Sequence, residues 1–142
     1  MKKMYEVRRT IAAEPAAIWR IISDAKALQD GDFGIEKIEG TIAPGEKIKL
    51  WADINPGRAF ALKVTEFQPN KRMVWSGGMP LGLFTGTRQF NLSPAGGGTD
   101  FHMREEFTGL MSGLIVKSIP DLQPTFDQFA ATLQQMTEGG VS

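Results

Sequence analysis

The chain has 142 residues, of which 42% are hydrophobic and 23% are charged, so it contains enough apolar material for one packed domain spanning residues 1–142. Its 16 Lys and Arg residues balance its 16 Asp and Glu residues, so the net charge of zero gives no electrostatic reason to bind nucleic acid or an anionic membrane. The absence of cysteine and the single histidine, His102, exclude disulfides, thiol nucleophiles, Cys-based zinc sites and His-pair metal sites. No window approaches the roughly 18 apolar residues of a membrane span. We therefore expect a cytoplasmic protein with no metal, no other cofactor and no integral membrane association.

The N-terminal part of the chain predicts one strand followed by short helices. Residues 3–11 alternate between apolar and polar, which is the period of a half-buried strand. Pro15 predicts a helix start, because proline at the first helical position gives up only an N–H group that had no partner. Apolar residues at helical spacing continue this helix to Ile22. A second short helical turn is predicted at 26–28.

The middle of the chain predicts a run of strands separated by turn signals. Strands are expected where apolar and polar residues alternate, at 35–42, 47–54, 58–67 and 71–76. Glycine and proline predict the breaks between them, at 44–45, 55–57 and 69–70, with a flexible loop at 77–82. Trp51 falls on the outer parity of its strand and is a candidate contact of a homodimer.

The clearest hairpin joins residues 84–92 to residues 99–108 through a glycine-rich turn. The side chains of one face give a self-consistent register, because an opposite-charge pair then lies between two apolar pairs. The predicted cross-strand pairs are Leu92 with Phe101, Phe90 with Met103, and Arg88 with Glu105.

The C-terminal part predicts a long amphipathic helix. Apolar residues recur at spacings of three and four between Leu122 and Met136, and Pro120 fits the start of the helix. Residues 109–117 predict a separate short helix before it.

This order of elements resembles the START-like, helix-grip superfamily, also called the SRPBCC or polyketide-cyclase/lipid-transport group, with the Bet v 1-type fold. The likeness is to its small bacterial, polyketide-cyclase-like members. The resemblance is carried by Ile11–Trp19 with Asp24, Phe90-x-Leu92-x-Pro94 with Gly97-Gly98-Thr99, Glu105-x-Phe107-x-Gly109, and Phe126-x-x-Phe129-Ala130-x-x-Leu133. It implies an α+β fold in which a curved antiparallel sheet of six or seven strands wraps around the long C-terminal helix, with two short helices after the first strand. It also implies a hydrophobic cavity between the sheet and that helix.

Elementary packing leads to the same expectation of a cavity. A single helix cannot fill the concave side of a curved sheet of six or seven strands, so large inward side chains would line a hollow of the ligand-binding class. The candidate ligand-binding residues are Met73, Trp75, Arg88, Phe90, Phe101, Met103, Glu105 and Phe126.

Arg88 and Glu105 are also the candidate catalytic residues. As an ion pair inside an apolar cavity they would orient a polar group of the ligand, or serve acid–base chemistry. The alternative is a structural cross-strand salt bridge. His102 lies on the opposite parity and is expected to face away from the cavity.

The sequence is compatible with three functions. The first is a carrier or sensor that binds a small hydrophobic ligand, such as a lipid, polyketide or aromatic molecule. The second is an enzyme of the cyclase, dehydratase or isomerase type acting on such a ligand in the same cavity, for which no catalytic constellation is evident. The third is a protein-interaction module like the co-chaperone branch of the superfamily. The segments 77–84 and 109–119 are candidate gates of the cavity.

Overall fold

The alternating segments form one antiparallel sheet in the computed structural model, which describes residues 4–79, 81–118 and 121–138. The strands lie side by side in the order β1-β7-β6-β5-β4-β3-β2. Their bounds are β1 Met4–Ile11, β2 Ile35–Glu39, β3 Lys47–Ala52, β4 Asn55–Gln68, β5 Arg72–Met79, β6 Phe84–Ala95 and β7 Gly98–Thr108. The helices are α1 Pro15–Ile22, α2 Ala25–Asp30, α3 Ser112–Ser118 and α4 Gln123–Glu138. The curled seven-stranded sheet, the long helix packed on it and the two short helices after β1 confirm the predicted helix-grip fold.

The predicted hairpin register is confirmed. Strands β6 and β7 pair Leu92 with Phe101, Phe90 with Met103 and Arg88 with Glu105. The chain reverses at Gly96 and Gly97, whose φ angles of 53° and 88° lie in the left-handed region that a two-residue hairpin turn requires. The alternation of side chains then fixes which residues face the helix.

Two predicted breaks between strands are wrong. Residues 55–57 belong to β4 and not to a turn, because Asn55 pairs with Ala52 and the chain reverses at residues 53–54. The next regular pair joins Trp51 to Ala59, so Pro56 and Gly57 lie in a bulge where proline removes no ladder hydrogen bond.

The first half of the predicted loop at 77–82 is strand, since β5 runs on to Met79, whereas residues 81–82 form a turn. Gly77 pairs with Gly86, and a Cβ atom at Gly77 would overlap the carbonyl oxygen of Ala61 on the neighbouring strand. Glycine at this position therefore allows two strands to approach closely. The sequence alone does not distinguish such a glycine from one in a flexible loop.

Helix α4 packs its predicted apolar stripe against the concave face of the sheet. Phe126, Phe129, Ala130 and Leu133 are buried on this side of the helix. The helix begins at Gln123, whose N–H donates to the side chain of Asp121 at 3.1 Å. The predicted start at Pro120 lies outside the described residues. Among the described residues no helix is long and apolar enough to cross a membrane.

Polar contacts hold the C-terminal end of α4 against the turn after β1. The N–H of Ala12 donates to Glu138 at 2.6 Å, and the Gln134 side chain donates to the same carboxylate at 3.0 Å. Arg9 at the rim of β1 donates to Gln134 at 2.8 Å. These hydrogen bonds stabilise the charged form of the Glu138 carboxyl group and lower its pKa below the ordinary value of 4.5, with the Ala12 bond contributing most.

This lowered pKa predicts a pH dependence of stability that Glu138→Gln removes. A carboxyl group with a lower pKa in the folded than in the unfolded state contributes its full stabilisation above pH 4.5, and loses it as the pH falls through the folded-state pKa. The difference in free energy of unfolding between the wild type and Glu138→Gln should therefore shrink as the pH falls below 4.5. Urea unfolding between pH 7 and 3 measures it, and a constant difference over that range would contradict the assignment.

Candidate ligand-binding site

One row of inward side chains crosses five neighbouring strands beneath the first half of α4. Val64 of β4 pairs with Trp75 of β5, and Trp75 pairs with Arg88 of β6. Arg88 pairs with Glu105 of β7, which pairs with Tyr5 of β1. Directly paired residues on one face have Cβ atoms about 4.5–5.5 Å apart, so the row brings two charged groups between aromatic side chains.

Arg88 and Glu105 form an ion pair on the concave face. The Arg88 Nη2 atom lies 2.7 Å from Glu105 Oε1, and Arg88 Nε lies 3.3 Å from the same oxygen. The Arg88 side chain is 18% exposed and the Glu105 side chain 16%, so the pair is largely but not fully removed from water. The guanidinium carbon lies 5.0 Å from the ring centroid of Phe126 on α4, a cation–π contact that covers one face of the group.

Trp75 lies next to the pair and is completely buried. Its ring meets the Phe90 ring edge to face at 4.8 Å between centroids. The indole Nε1 has no hydrogen-bond partner among the described residues. A buried N–H without an acceptor is unusual in native structures.

The other predicted ligand-binding residues are packed in the core. Met73, Phe90, Phe101, Met103 and Phe126 are each at most 1% exposed. Phe129 of α4 packs among them, since its ring centroid lies 6.0 Å from that of Phe90 and 6.1 Å from that of Phe101. Phe33, in the segment after α2, contacts the other side of this cluster, with its ring centroid 4.8 Å from that of Phe129. The structure thus brings seven of the eight predicted residues to the concave face of the sheet, with Phe126 facing them from α4. Ligand contact by the buried members stays a prediction.

Towards the N-terminal end of α4 the concave face of the sheet is more open. Leu62 of β4, Phe84 of β6 and Leu122 before α4 are only partly buried against the core. Phe60 shares the inner face of the sheet with its partner Leu50 and is 37% exposed. Phe84 stacks on Phe107 at 5.7 Å. These half-buried apolar groups, beside the Arg88–Glu105 pair, define what we call the open end of the concave face.

The two predicted gate segments meet near this open end. The N–H of Leu110 donates to Gly82 at 3.2 Å, and the N–H of Met111 donates to Leu83 at 2.8 Å. Leu81 and Leu110 are 93% and 88% exposed. Residues 80 and 119 lie outside the described part of the chain. The described parts of both segments therefore form one hydrogen-bonded unit, and a gating role stays a prediction.

The convex face carries the remaining candidates and is separate from the site. His102 faces away from α4, as predicted, and its Nε2 lies 2.9 Å from Glu6 on the neighbouring strand. That hydrogen bond is the largest cause of the lowered pKa of Glu6. Trp51 is half-buried, with Lys37 Nζ 5.2 Å from its ring centroid, so it is less exposed than expected. A homodimer contact there stays a prediction.

Two surface depressions of about 450 Å³ each also lie apart from the polar row. One is lined by Gln29, Glu36, Lys37, Trp51 and Pro56. The other is lined by Glu14, Pro15, Ala16, Pro69, Asn70, Lys71, Leu92 and Pro94. Neither includes a candidate ligand-binding residue.

Comparison with known proteins identifies the family. Residues 4–136 match the model of the family described as polyketide cyclase/dehydrase and lipid transport, and the chain belongs to this family. The predicted relationship is thereby confirmed. No curated protein matches the chain significantly.

Solved structures with the same fold share little sequence with the chain. A protein from Chromobacterium violaceum is 20% identical with a TM-score of 0.71, and the match covers 97% of this chain and 99% of that one. The Aha1 dimer from Colwellia psychrerythraea is 19% identical with a TM-score of 0.71, and 98% of each chain is covered. CalU16 from Micromonospora echinospora is 15% identical with a TM-score of 0.64, covering 94% of this chain and 73% of that one. At these identities the likeness establishes the fold alone.

The partly buried ion pair predicts that its two charges are coupled in stability. Glu105→Met leaves the Arg88 guanidinium without its carboxylate, so we expect it to lower the free energy of unfolding by about 1–3 kcal/mol. The double variant Arg88→Met/Glu105→Met removes both charges and should be more stable than Glu105→Met alone. Urea unfolding of the wild type, both single variants and the double variant measures this coupling. Additive losses would show that the pair is not coupled.

Proposed function

We propose that the chain binds a small hydrophobic ligand, such as a lipid, polyketide or aromatic molecule, as a carrier or sensor. The binding place is the open end of the concave face. The observation that carries this proposal is the Arg88–Glu105 pair held beneath Phe126, at the end where inward-facing apolar side chains are only half-buried. Removing an ion pair from most of the solvent costs desolvation energy. A role in orienting a ligand would explain why the protein keeps the pair in this position. The membership of the family supports the same class of ligand.

The open end of the concave face offers apolar protein surface that the nonpolar part of such a ligand could cover. Leu62, Phe84 and Leu122 each present partly exposed apolar area beside the core. Removing apolar surface from water contributes about 25 cal/mol per Å², so a bicyclic aromatic molecule covering these groups would gain several kcal/mol before the cost of association. The Phe84–Phe107 ring stack offers an aromatic surface of the same kind.

A second candidate is an enzyme of the cyclase, dehydratase or isomerase type at the same place. It is favoured by the free carboxylate oxygen of Glu105 beside a guanidinium group, because a carboxylate can take a proton from carbon while a neighbouring cation stabilises the enolate. Exchange of the α-protons of 2-tetralone in D₂O, lost in Glu105→Gln, would distinguish this activity from binding alone. The residue that suggested a protein-interaction role, Trp51, is half-buried against Lys37.

Binding of the neutral fluorescent probe N-phenyl-1-naphthylamine tests the proposed site. We expect one probe per chain, with an affinity about tenfold weaker in Leu62→Gln, because that change removes apolar contact at the open end. Met136→Gln is the matched control, since Met136 is an exposed apolar residue near the C-terminal end of α4 and should leave the affinity unchanged. Fluorescence titration gives the affinities, and thermal unfolding checks that both variants are folded. No saturable binding, or equal effects of the two changes, would overturn the proposal.

A further inference from the structure

The polar row leaves three hydrogen-bonding atoms free of protein partners among the described residues. Both hydrogen bonds of the Arg88–Glu105 pair use the single oxygen Oε1, so Glu105 Oε2 is an open acceptor. They use Nε and Nη2 of the guanidinium, so Arg88 Nη1 is an open donor. The indole Nε1 of Trp75, the direct cross-strand neighbour of Arg88, is a second donor without an acceptor.

The surroundings keep the side chains of Arg88 and Glu105 partly reachable, whereas Trp75 is fully buried. Arg88 and Glu105 retain 18% and 16% exposure, at the edge of the packed core. The position of a Cβ atom at Gly86 would lie 3.9 Å from Glu105 Oε2, so glycine leaves no side chain of its own over this oxygen. Phe126 covers a face of the guanidinium and leaves its edge available for hydrogen bonds.

The charge of the row restricts what can bind there. The guanidinium and the carboxylate cancel, so the pair has no net charge. A ligand anion at Arg88 would lie against the Glu105 carboxylate, and a ligand cation at Glu105 would lie against the guanidinium. Either would bring like charges together in a partly desolvated place, which costs binding energy. An uncharged group that both accepts and donates a hydrogen bond experiences no such like-charge repulsion.

We propose that the ligand carries an uncharged polar end that bridges Arg88 Nη1 and Glu105 Oε2, accepting from the first and donating to the second. Hydroxyl, phenol and primary carboxamide groups have this pairing of acceptor and donor, whereas carboxylates and hydrocarbons do not. This inference rests on the proposed function, and it selects one chemical class of hydrophobic ligands.

Three probes of nearly the same size test the selectivity of the full chain at pH 7. Naphthalene has no polar group, 2-naphthol has a neutral hydroxyl, and 2-naphthoate has an anionic carboxylate. Titrations followed by ¹H–¹⁵N NMR should give 2-naphthol an affinity about tenfold or more above that of naphthalene, because hydrogen bonds to charged groups in a desolvated place discriminate strongly. Binding of 2-naphthoate should be no tighter than that of naphthalene. The indole N–H resonance of Trp75, assigned with Trp75→Phe, should shift on binding of 2-naphthol.

The double variant Arg88→Met/Glu105→Met should lose the preference for 2-naphthol over naphthalene. The matched control is Arg72→Met/Glu66→Met, which removes an ion pair of 3.0 Å on the convex face and should keep the preference. Equal affinities for all three probes, or tightest binding of 2-naphthoate, would overturn this inference while leaving the proposed function standing. Absence of binding by every probe would overturn both.

Discussion

The packing of Phe129 against the concave face determines where the interior of this protein is closed and where it is open. Its ring touches Phe33, Phe90 and Phe101, which belong to three separate parts of the chain. Truncating such a residue to alanine typically costs about 3–5 kcal/mol, because it leaves a cavity that the surroundings refill only in part. Because Phe129 holds the middle of α4 against the sheet, the remaining inward-facing surface lies towards the N-terminal end of this helix.

The Arg88–Glu105 pair lies at the boundary between these two regions. On one side are fully buried apolar groups such as Trp75, and on the other are half-buried ones such as Phe84. A charged pair fully inside the packed region would be hard to stabilise, and a pair on the convex face would be screened by solvent and of little use for recognition. At the boundary it is desolvated enough for strong hydrogen bonds and exposed enough for a ligand to reach it.

Much of the fold follows from the sequence because its determinants are local. The alternation in β6 and β7 and the glycines between them sufficed to predict the register that pairs Arg88 with Glu105. The apolar stripe of α4 predicted its buried face. The break predicted at 55–57 was wrong because a bulge, which depends on the neighbouring strand, accommodates Pro56 within β4. The packing of the aromatic side chains beneath α4 was also beyond local rules, since Phe33 meets Phe129 only after the whole chain has folded.

The most direct test of a ligand site at the open end is to locate a bound probe by isotope-filtered nuclear Overhauser effects between N-phenyl-1-naphthylamine and the labelled protein. A ligand at the open end should show contacts from the probe to the methyl groups of Leu62 and Leu122 and to the ring of Phe84, with no contact to Phe101 behind Phe129. Contacts confined to the surface depressions around Trp51 or Pro15 would contradict it.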